Sequence, residues 1–306
     1  MVPRILISGP ALSAPYGYFS IRMFIPLNKV LTIIFSYIFG ANGLSIDVDS
    51  KEEARKSVFK LKKKGVDFIK TVSTGAFVGF TEKDNNLKEE LIRLGMKKEI
   101  IEAGMKKEIL EAIVEEAHNA GLKVAVHNIC WTEGFKDTVR AGADSIEHTP
   151  LGLLDDETFD MMKEKNIYWV PTAYIFYNWS NFIDHPDEYE KMEIKELIPE
   201  PFYTLGKKTL DKTREGMMQG KNPVMKRFYD EITNFKEEYF PVNLRRAMEK
   251  NVKIVAGVDG GASGTGYVPH GQLYKELELF VANGMSEFEA IQTATVNAAE
   301  LLCFLQ

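Results

Sequence analysis

The stretch "LKVAVHNICWTEGFKDTVRAGADSIEHTP", residues 122–150, decides the fold. It opens on a short apolar run, "LKVAVHN", and passes into the polar, amphipathic "WTEGFKDTVRAG", which stops at Gly142. A second short apolar run follows in "ADSIEH". Apolar runs of that length predict buried strands, and a Gly-terminated amphipathic segment between them predicts a helix. The unit is therefore strand, helix, strand, the building block of a parallel sheet. Each strand ends on a histidine, His127 and His148. A single histidine beside a core is more often a packed residue than a ligand, so the two call for other residues at matching positions.

Working outward, the same rhythm recurs. Upstream stand the helix "SKEEARKSVFKLKKKG", the strand "VDFIKTV" and the helix "EILEAIVEEAHNAG". Downstream come the helix "LDDETFDMMKEKN" and the strand "IYWVPT", and later the helix "YFPVNLRRAMEKN" and the strand "VKIVAGVD". Two helices, over about 270–283 and 286–302, close the chain. Units of about 20–25 residues predict a TIM-type (β/α)8 barrel better than a doubly wound sheet. No glycine-rich dinucleotide or phosphate loop follows any of these strands, which lowers the doubly wound alternative further.

The strand ends carry more than the two histidines. Lys70 stands in "DFIKTVSTG", and Asp259 ends "KIVAGVDGG". Four strands thus bring Lys70, His127, His148 and Asp259 toward one mouth. Each has a plainer explanation: Lys70 could reach solvent, and Asp259 before Gly-Gly could be a turn residue. A bare ammonium inside a barrel would nonetheless be costly without a partner. Two imidazoles and a carboxylate suit zinc or a related divalent ion, with Asp259 placed to take a proton from activated water. Glu147 should point away from His148 by strand alternation, which predicts a supporting role. His118 is expected to be structural and His185 exposed.

Composition bounds the classes. With 306 residues, 45% hydrophobic and 27% charged, the chain can build one large domain or two small ones. A net charge of −6 leaves no electrostatic footprint for nucleic acid or anionic lipid. Only Cys130 and Cys303 occur, far apart, so no disulfide framework is implied and a reducing, cytoplasmic setting is the default. The opening "MVPRILISGP" has no apolar signal-peptide core. The run "VLTIIFSYIFGA" at 30–41 is about 12 residues, against roughly 20 for a spanning helix, and is expected to be a buried strand or helix.

Two departures break the rhythm. "GMKKEIIEA" and "GMKKEILEA" stand in tandem over 95–112. Nine residues along one helix swing its face by about half a turn, so both copies should not bury the same positions. The first copy is expected to be a solvated lead-in. The second departure is the span of about 65 residues after "VPT", over about 173–237. A segment that long should hold its own helices and act as a lid over the mouth.

Together "GVDFIKTVSTG", "LKVAVHN", "AGADSIEHTP", "GVDGG" and the closing "HGQLYKELELFVANGMSEFEAIQTATVNAAELL" resemble the amidohydrolase superfamily. They are closest to its imidazolonepropionase-like and zinc-dependent Xaa-Pro dipeptidase branch. The likeness runs over about 43–302 and is weakest in the lid. It implies one hydrolase domain over 1–306, built as a TIM barrel with one or two divalent ions, zinc first. It implies hydrolysis of an amide or cyclic amide C–N bond in a small molecule or dipeptide. By the same resemblance Lys70 is a carbamylated lysine, His127 and His148 are metal ligands, and Asp259 is both ligand and proton shuttle. Tyr174, Tyr177 and His270 match substrate contacts.

The departures from the family pattern matter equally. No His-x-His occurs anywhere, although the family opens its barrel with one. The opening "VPRILISGPALS" resembles the family's third strand, and residues 18–41 do not follow its pattern. "HNIC" and "HTP" replace the usual residues after the two strand-end histidines. The chain is therefore expected to be an internal piece of a longer protein, with about six of eight strands and without the family's small sandwich domain. Open sheet edges would follow, inviting pairing with other chains, and homo-oligomerisation is left open. The alternative is a truncated or degenerate barrel without turnover; a third reading is a one-metal enzyme using His127, His148 and Asp259.

Overall fold

The structure, a computed structural model, describes residues 5–17, 20, 45–74, 85–93, 95–129, 132–220, 223–260 and 268–302. The apolar run at 30–41, both cysteines and Gly261 lie outside the described residues. The chain divides into two compact units, one reaching Pro150 and including Leu154–Trp169, the other formed by Leu151–Leu153 and the residues from Val170 onward.

The first unit is α/β. Its strands are β1 (Ala11–Ser13), β2 (Ser45–Asp47), β3 (Phe68–Val72), β4 (Lys123–His127), β5 (Ser145–Glu147) and β6 (Tyr168–Val170), with β6 ending at the boundary. The order is β2-β1-β3-β4-β5-β6, and the pairings through β5 are parallel. The sheet is not closed: β2 and β6 are its edges among the described residues.

Helices cover one sheet face. α1 (Lys51–Lys63) starts where the Ser50 hydroxyl accepts from the Glu53 N–H at 3.2 Å and the Glu53 carboxylate accepts from the Asp49 N–H at 3.0 Å. α2 (Asn85–Arg93) and the short α3 (Lys98–Ile101) precede α4 (Lys107–Asn119). Ala54, Val58 and Leu61 of α1 and Ile109, Ile113 and Ala117 of α4 recur at helical spacing. They pack with Leu12, Ile69, Val124 and Val126 in one core. Each fully buried Leu, Ile or Val side chain there contributes about 1.5–3 kcal/mol.

Register then places the other face. Lys70 pairs with Ala125, Ala125 with Ser145, and His127 with Glu147. These positions share one side, because side chains alternate along each strand. Ile69, Thr71, Val124, Val126 and Ile146 take the helix-covered side and are fully buried. α5 (Thr132–Ala141) and α6 (Asp156–Glu164) complete the repeating units, tied where the Lys136 ammonium reaches Asp155 and Glu157. At the opposite end of β4, His118 is structural as expected: its Nε2 lies 2.8 Å from Asp144, which also takes Lys123 at 2.9 Å and the Val124 N–H at 2.8 Å. His185 is exposed.

Three expectations are corrected. The sixth strand is β2, while "VKIVAGVD" in the second unit has only a single bridge residue, Ile254. Its backbone groups go to the closing helices: Ala256 N–H donates to Thr293 O at 3.2 Å, and Asn297 Nδ2 donates to Ile254 O at 2.8 Å. Both tandem copies bury equivalent positions, Ile101 with Leu110 and Ala103 with Ala112, at 0, 2, 6 and 2% exposure. The half-turn argument fails because α3 ends before the second copy starts α4, so helical phase is not carried across. The closing 286–302 segment is two helices, broken at Thr295 (φ −124°, ψ −86°).

The second unit is helical. The long span after β6 folds as α7 (Tyr174–Asp184), α8 (Pro186–Tyr189), α9 (Met192–Leu197), α10 (Glu200–Met218) and α11 (Pro223–Asn234). A π-helical turn, Phe235–Tyr239, leads into α12 (Phe240–Glu249). Pro241 follows that turn; it has no N–H and would crowd a carbonyl one α-turn back, which a widened turn relieves. α13 (Leu273–Ala282), α14 (Glu287–Ala294) and α15 (Val296–Leu301) complete the unit. Among the described residues, no helix is long and apolar enough to cross a membrane.

Candidate active site

The site in the first unit is built at the C-terminal ends of β3, β4 and β5. His127 is the last residue of β4, and its carbonyl accepts from the Ser73 N–H at 3.1 Å and the Ser73 hydroxyl at 3.0 Å. Asn128 follows, with its N–H on Glu147 O at 3.1 Å and its amide donating to Gly134 O at 3.0 Å and Thr138 Oγ1 at 2.7 Å. His148 follows β5 with φ +76°, a region costly for a side chain without local compensation. That turn brings its ring edge-on to His127, centroids 4.3 Å apart at 68°.

Both rings are buried, at 5 and 8% exposure. Burial, and then the charge of Lys70, push His127 down to about 3. Burial first, then His127 and Lys70, hold His148 well below the ordinary imidazole range. Both are therefore neutral near pH 7, the form that offers a nitrogen lone pair to a metal.

Glu147 corrects the alternation argument. It shares the sheet face of Lys70 and His127, with Oε2 4.0 Å from Lys70 Nζ and Oε1 accepting from Ser145 Oγ at 2.6 Å. The turn at His148 ends the alternation, so Glu147 and His148 do not take opposite sides. Parity against Lys70 and His127, had the register been known, would have found Glu147. Trp169 was also missed: its indole N–H donates to the His148 carbonyl at 2.9 Å, bracing the strained residue. Trp169→Phe is expected to lower stability by about 1 kcal/mol through loss of that bond. Urea midpoints check the loss, and an unchanged midpoint would remove the bracing role.

The remaining candidates lie in the second unit. Asp259 is exposed and left-handed, φ +50°. His270 is exposed, and a Cβ on Gly260 would lie at ordinary contact distance, 3.5 Å, from its Nδ1. Tyr174 and Tyr177 are half-buried on α7. The Tyr177 hydroxyl donates to Lys236 O at 3.0 Å, and burial raises both phenols to about 12.

Glu276 is the residue the sequence reading missed here. Its side chain is fully buried and accepts from Ala173 N–H at 2.9 Å and Tyr174 N–H at 2.7 Å. It thereby caps the start of α7 from α13. Its signal was a glutamate four residues before Phe280, on the buried stripe of a helix.

Among the described residues, no group of three His, Cys, Asp or Glu side chains is gathered to hold a metal ion. The donors that are together, two neutral imidazoles on neighbouring strand ends, fit a divalent ion in their chemistry.

Ionisable residues at the carboxyl ends of parallel strands are the layout of α/β enzymes. The chain belongs to the amidohydrolase family, whose pattern matches residues 3–304. It is 29% identical over 181 residues to ochratoxinase of Aspergillus niger, covering 56% of this chain and 32% of that protein. Among solved structures it resembles a Xaa-Pro dipeptidase with bound methionine at 24% identity and TM-score 0.59, covering 98% of this chain and 57% of the other. The A. niger ochratoxinase structure matches at 22% and 0.62, over 98% and 55%. A prolidase of Bifidobacterium longum, described as putative, matches at 24% and 0.61, over 98% and 55%. These neighbours have the TIM-barrel fold. The chain spans little more than half the length of these solved relatives and a third of the curated one.

Proposed function

We propose that the protein belongs to a metal-dependent hydrolase of an amide or cyclic amide C–N bond, a dipeptide among its substrates. The observation that carries this reading is the buried, neutral His127–His148 pair at adjacent strand ends. His127 and His148 would hold zinc or a related divalent ion, with Lys70 and Asp259 as further ligands. When bound, that ion polarises the scissile carbonyl and lowers the pKa of water.

The chain's own residues do the rest. Burial keeps both imidazoles unprotonated. Asp259 takes the proton of the attacking water and delivers it to the leaving nitrogen. Tyr174, Tyr177 and His270 contact the substrate, and the helices of about 173–237 exclude water from it. Lys70 as an amine pairs with Glu147 at 4.0 Å. Lys70 as a carbamate would be an anion beside that carboxylate, and the two would have to separate.

A second reading is a barrel that keeps the fold without turnover. Metal content after purification in zinc-containing buffer, with hydrolysis of N-acyl amino acids and dipeptides, separates them. Two metals per chain with turnover support the full family mechanism, and one metal with turnover supports the reduced site. Zero metal sinks both enzyme readings.

A further inference from the structure

The turn after β6 combines three features in the second unit. Thr172 has φ +49°, a conformation β-branched residues rarely adopt. Thr172 is 3% exposed and Ala173 is fully buried, so water cannot relieve the turn. The next two backbone N–H groups, of Ala173 and Tyr174, both end on the one buried carboxyl group of Glu276. Gly257 packs against this turn so closely that a Cβ there would lie 2.7 Å from Val170 Cγ1 and 3.5 Å from Thr172 Cγ2.

The packing core does not demand a charged group at 276. An apolar side chain there would avoid the desolvation cost of a carboxyl but would leave the N–H groups of Ala173 and Tyr174 without these acceptors. A strained turn, two backbone hydrogen bonds to Glu276 and the close approach of Gly257 to Val170 just before the turn together fix one geometry, where Tyr174 leaves the turn. We propose that Glu276 is a positioning residue: it holds Thr172–Tyr174 in the strained turn and so sets how Tyr174 meets the substrate. This rests on the amide-hydrolase reading given above.

The experiment compares Glu276→Gln, Thr172→Gly and Tyr174→Phe, with the Glu276→Gln/Tyr174→Phe double variant, in the full chain with its metal. KM, kcat and melting curves are measured on the amide that the wild type hydrolyses best. Glu276→Gln keeps one acceptor oxygen and is expected to raise KM roughly tenfold with little change in kcat, a loss of binding geometry. In the Tyr174→Phe background the same substitution should add little, because it acts through that tyrosine. Thr172→Gly relaxes the turn with Glu276 in place. It should fold at least as stably as wild type and still raise KM, which keeps the test alive if Glu276→Gln does not fold.

An unchanged KM in folded Glu276→Gln or in Thr172→Gly overturns the inference. So does an equal effect in both tyrosine backgrounds, which marks Glu276 as merely structural. A wild type that hydrolyses no amide overturns the functional reading, and the inference with it, before any substitution is made.

Discussion

His148→Asn is expected to abolish activity while leaving the fold intact. Asparagine tolerates the left-handed conformation that His148 adopts at φ +76°, so the turn after β5 survives. What disappears is one of two imidazoles facing each other at 4.3 Å. Partners behind a metal ligand cost about 10–100-fold in affinity or activity when mutated, so loss of the ligand itself should exceed that range. Zinc per chain by elemental analysis should fall with kcat/KM, while the melting temperature stays near the wild-type value. Full zinc occupancy in the variant would remove His148 from the metal shell.

The second large effect concerns stability against pH. Burial pushes the Glu276 carboxyl from 4.5 up to about 8, although the Ala173 and Tyr174 N–H groups pull the other way. The folded state thus holds a proton that the unfolded chain releases above about 4.5. The contribution is fully present below the unfolded value and is lost as pH rises through the folded one. Between those two values stability should fall by about 1.4 kcal/mol per pH unit from this group alone. Glu276→Gln cannot ionise, so its urea midpoints from pH 5 to 9 should lack that slope. Parallel profiles for wild type and variant would show that Glu276 titrates near its ordinary value in the fold.

The parallel architecture was legible because it is written in local pattern. "VDFIKTV", "LKVAVHN" and "ADSIEH" are apolar at strand length, and their helices end at Gly65, Gly121 and Gly142, all with positive φ. The same pattern misled at "VKIVAGVD", since apolar composition reports burial and not which partner takes the backbone hydrogen bonds. β2 went unseen because three residues, "SID", carry no periodicity. The tandem repeat misled because helical phase holds only while the helix continues.

The candidate site divides the same way. Residue type and strand-end position single out His127 and His148, which the structure brings together, since strand polarity is a local property; Asp259, expected at a strand end, instead follows a segment with a single bridge residue. Glu147, Trp169 and Glu276 are different. Each acts through a partner distant in sequence: Lys70 for Glu147, the His148 carbonyl for Trp169, the start of α7 for Glu276. By itself the sequence determined the strand–helix rhythm and the family. Only the tertiary structure decided the strand order, the ring-to-ring contact of the histidines and the clamp on Thr172–Tyr174. Register, left-handed turns and burial of a charged group depend on what packs from elsewhere in the chain, and no local pattern of residues encodes that.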